Sequence, residues 1–156
     1  QYLRQTKMIF LEPHVKKILD YVNKDWCCNH WQNVVNALNP LYAFLQITYG
    51  ERQSIKGSIT MNGLNFRTSS AILSMCDLFL GPEGGMMHAA AATNRKAVIV
   101  GGGHIRPDIT GYDFHNHLYN EHPLSPCGNK NVCMHCLEEL KKITTNEVIK
   151  EIKKII

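Results

Sequence analysis

The chain has 156 residues, 44% of them hydrophobic, and carries a net charge of +4. That length and composition suffice for one hydrophobic core and predict one domain over residues 1–156. They speak against a membrane-spanning helix, because no stretch approaches the roughly 18 uninterrupted apolar residues required, and against nucleic acid as a partner, because no basic stripe is interleaved with aromatics.

The N-terminal residues lack the charged-then-apolar layout of a signal peptide, and Gln1 in place of an initiator Met points to a mature or excised piece. Lys7 to Pro13 (KMIFLEP) is a short apolar run ended by proline, which predicts a buried strand and then a loop. Trp31, Val34, Val35 and Leu38 recur at i, i+3, i+4 and i+7 and predict an amphipathic helix that Asn39-Pro40 stops. Leu41 to Thr48 (LYAFLQIT) predicts a second strand closed by Gly50, followed by a polar connection to Gly63. In Thr68 to Met75 the hydroxyl residues suit a cap ahead of Ala71, Ile72 and Met75.

Asp77 to Gly81, Gly84 to Thr93 and Ala97 to Gly101 then read as strand, Ala-rich helix and strand. Their strands are continuously apolar, as in a parallel sheet covered on both faces, so the expected fold class is α/β: a Rossmann-like open parallel sheet with helices on both faces. Residues 102–142 read as irregular, with a Cys/His-rich insertion over 115–136. Thr144 and Glu147 predict a capping box for a terminal helix over 144–156, with Ile143 and Val148 as its staple and Val148, Ile152 and Ile155 facing the core.

The segment Gly81-Pro-Glu-Gly-Gly-Met-Met-His88 falls between a strand end and a helix start. Gly84 and Gly85 suit a sharp, side-chain-free turn, and the first helical amides around Gly84, Gly85 and Met86 suit a phosphate or pyrophosphate. The run is neither a Walker loop nor the dinucleotide fingerprint, which counts against P-loop phosphoryl transfer and hydride transfer. His104 and Arg106, in the loop after Gly101-Gly-Gly103, are secondary phosphate candidates. Cys127, Cys133 and Cys136 include a Cys-x-x-Cys pair, and His122 or His135 could complete a tetrahedral zinc site; otherwise the thiols form a disulfide or stay free.

Asn62-Gly63, Phe66-Arg67-Thr68, Asp77-Leu-Phe-Leu-Gly81, the run from Glu83 to Ala92 and Ala97-Val-Ile-Val-Gly101 resemble the C-terminal domain of glycosyltransferase family 9, the ADP-heptose lipopolysaccharide heptosyltransferases and relatives. Lys24-Asp25-Trp26 and Trp31 are similar to a recurring Lys and Trp of that family. The resemblance implies the donor-binding half of an inverting GT-B enzyme. Such an enzyme moves a heptose-like sugar from a nucleoside diphosphate, most simply ADP, to a glycan or lipopolysaccharide acceptor. No metal would be required for catalysis, with a structural zinc as the one metal the cysteines suggest. The acceptor site and general base would lie on an N-terminal domain, so no catalytic residue is assigned to this chain, and the chain alone would transfer nothing.

By the same resemblance Lys24 would face the leaving diphosphate, Glu51 would receive ribose hydroxyls, and His88 would reach a phosphate or donor hydroxyl. Glu83 stands where Asp is commoner in the family, with a role toward sugar hydroxyls or in fixing the loop through backbone amides. Gly84 replaces the usual Ser or Thr and so removes a hydroxyl contact. Cytoplasmic location, peripheral at the inner membrane, follows from typical acceptors. Two other classes compete: a non-catalytic nucleotide or sugar-phosphate binding module, and a zinc-stabilised interaction domain with residues 115–136 as its partner surface.

Overall fold

The computed structural model describes residues 6–15, 21–50 and 52–156, with backbone alone for Tyr21 and Val22. Among these residues, six strands form one parallel sheet: β1 (Lys7–Leu11), β2 (Tyr42–Thr48), β3 (Ile59–Asn62), β4 (Leu78–Pro82), β5 (Lys96–Val100) and β6 (Asn116–Leu118). Their spatial order is β3-β2-β1-β4-β5-β6. The chain builds outward from β1 to β3, returns to lay β4 against the other side of β1, and builds outward again. Neighbouring connections therefore leave the sheet in opposite directions at β1 and β4, which opens a crevice at the carboxyl ends of those two strands.

Alternation along each strand divides the core between two faces. Ile9, Leu11, Phe44, Leu78, Leu80, Val98 and Val100 pack with α1 (Cys28–Leu38) and α6 (Thr145–Ile155). Phe10, Leu45, Ile47, Phe79, Ala97 and Ile99 pack with the other layer, α2 (Phe66–Ser74) and α3 (Gly85–Ala92). The α1 stripe of Trp31, Val34, Val35 and Leu38 is fully buried, as its spacing predicts. Burial of each such side chain contributes about 1.5–3 kcal/mol, which is why a modest helix propensity suffices here. The Thr144–Glu147 capping box forms with both of its hydrogen bonds, and Val148 and Ile152 are buried beneath it.

Three local expectations are corrected. The cap of α2 is Asn65, whose side chain accepts from the Thr68 N–H at 2.9 Å, while the hydroxyls of Ser69 and Ser70 donate back to carbonyls four residues earlier. Leu73 and Cys76 face inward there, and Ala71 and Met75 are exposed. The polar connection before Gly63 contains β3, an edge strand exposed at every position and so without an apolar signature. Residues 102–142 supply α4 (Pro107–Thr110), β6 and α5 (Met134–Lys142). No helix among the described residues is long and apolar enough to cross a membrane.

One close approach holds the crevice together. A Cβ on Gly81 would lie 2.8 Å from both the Glu12 carbonyl oxygen and the Phe79 ring, so β4 meets the end of β1 only because position 81 is bare. Gly81→Ala is expected to cost about 1–3 kcal/mol by overpacking. A denaturant titration checks it; an unchanged midpoint would mean that the two strands part without penalty.

Candidate functional site

A cleft of about 550 Å³ opens at the β1/β4 crevice. Its floor is the run past β1, with Glu12, His14 and Val15; one wall is Tyr49, Arg52, Leu64, Asn65 and Phe66; the other is Pro82 to Met86 with Lys24. Of the residues expected from the sequence, Lys24, Glu83, Gly84, Gly85 and Met86 come together here. Glu51 lies outside the described residues.

The start of α3 faces this space, with Gly84 half-buried and Gly85 exposed. Met87 and His88 already donate to the Gly84 carbonyl, at 3.1 and 3.4 Å. The amides before them belong to the first turn, where an α-helix supplies no intrahelical carbonyl partner. Gly84 is the N-cap and brings no capping side chain. The reason for the two glycines differs from the expected one: Gly84 is extended (φ 164°), and an added Cβ meets nothing at Gly84 and only the Phe66 ring, at 3.6 Å, at Gly85. The bend does not require glycine, so the missing side chains widen the cleft instead.

Lys24 ends a 3-10 turn, Tyr21–Lys24, and two buried anchors flank it. The Asn23 side chain accepts from the Cys133 N–H at 2.8 Å and donates to the carbonyls of Asn129 and Asn131. Trp26 donates through Nε1 to the Ile143 carbonyl at 3.0 Å and packs edge-on against Trp31. Between these anchors the Lys24 ammonium forms an ion pair with Glu83, both side chains being largely shielded. Glu83 thus holds the loop through a side-chain cation rather than in the backbone-amide manner expected of it.

Other expected residues sit elsewhere. His88 is exposed on α3 with Nδ1 at 2.9 Å from the Tyr112 hydroxyl, and it does not line the cleft. Arg106 forks onto Asp108 at the surface and borders smaller depressions. His104 is turned toward the cysteines: ligating atoms of His104, Cys127 and Cys136 all lie within 4.8 Å of one another. This replaces His122 or His135 as the imidazole beside the thiols; those two cluster with Glu139, whose carboxylate already accepts from Lys142 at 2.6 Å.

The Cys127 and Cys136 sulfurs are 3.0 Å apart, beyond the roughly 2.05 Å of a disulfide, and the described cysteines form no disulfide with one another. The Cys133 thiol hydrogen-bonds with both, and the Cys136 backbone N–H, the leading influence, lowers its pKa. Burial, then the two neighbouring thiols, push Cys136 far above the ordinary thiol range. Burial followed by the Lys24 charge lowers His104, favouring the neutral imidazole that ligates metals. Glycines permit this assembly, since a Cβ on Gly102 would strike Leu140 at 2.7 Å and one on Gly103 would strike His135 at 2.4 Å. Cys127 N–H and Gly128 N–H bond the carbonyls of Gly103 and His104. Two thiols and one imidazole thus supply three soft ligands within one ion's reach, and Cys133, hydrogen-bonded to both thiols, is the candidate for a fourth.

Sequence reasoning missed Glu12, His14, Tyr49, Arg52, Asn65 and Phe66 as cleft residues. Glu12 and Tyr49 each directly follow a strand, but only the strand order reveals that the two strand ends border one crevice. The Gln46 side chain, buried within β2, accepts from Ile55 N–H at 2.8 Å and orders the loop beyond Arg52, a long-range role that a polar residue in an apolar run does not announce.

The strand order, the two helical layers and a cleft at the topological switch point define a doubly wound, Rossmann-like α/β domain. Its fold is that of glycosyltransferase family 9 structures. Over 96% of this chain it is similar to the family 9 glycosyltransferase of Veillonella parvula (TM-score 0.71, 17% identity, 46% of that chain). It is also similar to E. coli heptosyltransferase WaaC with ADP (TM-score 0.65, 13% identity, 95% of this chain and 43% of that one). A third likeness is to TibC, an iron-containing dodecameric glycosyltransferase of enterotoxigenic E. coli (TM-score 0.73, 18% identity, 99% and 46%). The chain spans less than half the length of these solved structures, and identities this low establish the fold alone. No protein-family model and no curated protein matches the chain.

Proposed function

We propose that the chain is the donor-binding half of an inverting glycosyltransferase that moves a heptose-like sugar from a nucleoside diphosphate to a glycan or lipopolysaccharide acceptor. The observation that carries this reading is the switch-point cleft with the open start of α3 on one wall and Lys24 beside it. A diphosphate gains negative charge as the glycosidic bond breaks, and first-turn amides aimed at it stabilise that charge without reorganising. Lys24 adds a positive charge that Glu83 orients. The opposite wall, with Tyr49, Leu64 and the exposed Phe66, offers apolar surface to a nucleobase. The volume lies within the 300–1,000 Å³ range of small-molecule sites. E. coli heptosyltransferase structures hold ADP or a fluorinated ADP-heptose, and a TibC structure holds ADP-D-β-D-heptose, which favours ADP as the nucleotide. His88 and Arg106 would act only outside the cleft as it stands.

The acceptor and general base would come from an N-terminal domain, so this half binds donor and performs no transfer by itself. The lysines of α5 and α6 suit a cytoplasmic enzyme working at membrane-linked acceptors. Thermal unfolding with ADP, UDP, GDP and CDP tests the reading: a nucleotide at 100 times its Kd is expected to add about 2.7 kcal/mol of stability. A flat response to all four would leave the cleft without its assigned ligand.

A second site is favoured by the His104, Cys127 and Cys136 cluster, with the Cys133 thiol hydrogen-bonded to both cysteines. We propose that it holds one structural metal ion, zinc on chemical grounds, with iron as the competitor given the iron-containing TibC. The ion would tie the loop after β5 to the segment before α5, next to the Asn23 anchor of Lys24. It would serve the donor site by rigidity and take no part in transfer.

A further inference from the structure

We infer that Glu12 meets the diphosphate of a bound donor as a carboxylic acid, donating a hydrogen bond to a phosphate oxygen, so that donor binding takes up a proton. The inference rests on the donor-site reading and adds to it a chemical state for one residue that the resemblance does not assign.

Among the described residues two acidic side chains line the cleft, Glu12 on its floor and Glu83 on its wall. A diphosphate bound between two carboxylates would be repelled by both. Glu83 is offset by the Lys24 ammonium. Glu12 has weaker compensation: it accepts from the His14 backbone N–H at a long 3.4 Å, and Arg52 acts on it only as a nearby charge. The His14 imidazole is directed to the Gln53 carbonyl, 2.7 Å away, and the Tyr49 hydroxyl to Ser69. The Glu12 backbone is fixed on the cleft floor, because its N–H donates to the Leu80 carbonyl at 2.9 Å and the bare Gly81 lets β4 press against it. A neutral carboxyl at this place removes the repulsion and supplies a donor to the anion. Burial favours that form, pushing the Glu12 carboxyl up to about 7, against the lowering influence of His14 N–H and Arg52.

The sign follows from linkage. An anionic ligand favours the protonated form and raises the Glu12 pKa further in the complex. Affinity is therefore constant at pH values below that of the free carboxyl and falls by up to about tenfold per pH unit above about 7, until the acid ionises in the complex too. ADP-glucose is the probe, because its phosphates do not titrate in this range. Calorimetric titration between pH 5.5 and 8.5 is expected to give that fall for the wild-type chain. Glu12→Gln presents an N–H of the same shape at every pH and is expected to lose the fall. At pH 7.5, titrations in two buffers of different ionisation enthalpy should report uptake of up to about three-quarters of a proton by the wild type, and correspondingly less by the variant. Identical pH slopes, or identical proton uptake, overturn the inference alone. Absence of ADP-glucose binding to the wild type at every pH overturns the donor-site reading, and this inference with it. Because the wild-type slope and proton uptake are measured independently, the test survives a poorly folding variant.

Discussion

Lys24→Met is expected to weaken ADP binding by roughly 30- to 150-fold, equivalent to about 2–3 kcal/mol for removing a charge-assisted hydrogen bond beside a newly unpaired charge. The substitution keeps an unbranched apolar stem and deletes the ammonium, and the Asn23 and Trp26 anchors on either side are untouched. Two effects then act in the same direction. The diphosphate loses a cation, and the Glu83 carboxylate, shielded from water in the ion pair, is left facing the ligand without its partner. Glu83→Gln alone should cost much less, since it lets the ammonium turn toward phosphate while loosening the loop. The double variant Lys24→Met with Glu83→Gln is therefore expected to bind at least tenfold better than Lys24→Met. Isothermal titration with ADP on the four proteins closes the cycle. Simple additivity would show that the pair does not act as a unit in binding, and wild-type affinity in Lys24→Met would remove Lys24 from the site.

The second large effect concerns the thiols. The chain is expected to bind one zinc, with its unfolding midpoint rising as free zinc rises; above saturation each tenfold increase adds about 1.4 kcal/mol. Burial and neighbouring thiols make Cys136 resist ionisation, and a divalent cation removes that penalty by binding it as a thiolate. Cys136→Ser, at the most buried of the three, should abolish stoichiometric zinc and the thiolate charge-transfer absorption of the cobalt-substituted protein. His104→Ala should reduce zinc affinity beyond the 10- to 100-fold typical of losing a group that only orients a ligand, because it deletes a ligand itself. His122→Ala and His135→Ala should leave zinc content unchanged. Zinc that survives Cys136→Ser and His104→Ala but is lost on changing His122 or His135 would move the site to the other cluster.

Residues whose role is written in local pattern were legible from sequence. The four-residue stripe of α1, the continuous apolar runs of β1, β2, β4 and β5, and the Thr144–Glu147 box each encode an element through neighbours within one or two turns. The loop from Glu83 to Met86 was legible for the same reason, being a strand end followed at once by a helix start. Edge strands carry no such pattern: β3 is wholly exposed and β6 is three residues long, so hydrogen bonding to a neighbour, not burial of one face, makes them strands. α5 was hidden among the irregular-looking residues before it because its start is marked by Cys133 rather than by a capping hydroxyl or carboxamide.

The sequence by itself determined the α/β class, the Ala-rich helix after β4 with its glycine start, and the presence of three cysteines close in the chain, since all of these follow from short-range periodicity and spacing. Tertiary structure alone decided which distant groups share a space: Lys24 with Glu83, Glu12 with the start of α3, and His104 with the thiols. The physical reason is the order of the sheet. Placing β4 against β1 rather than β3 joins segments some 70 residues apart at one crevice, and no local signal in a chain encodes which strand edge a later strand will find.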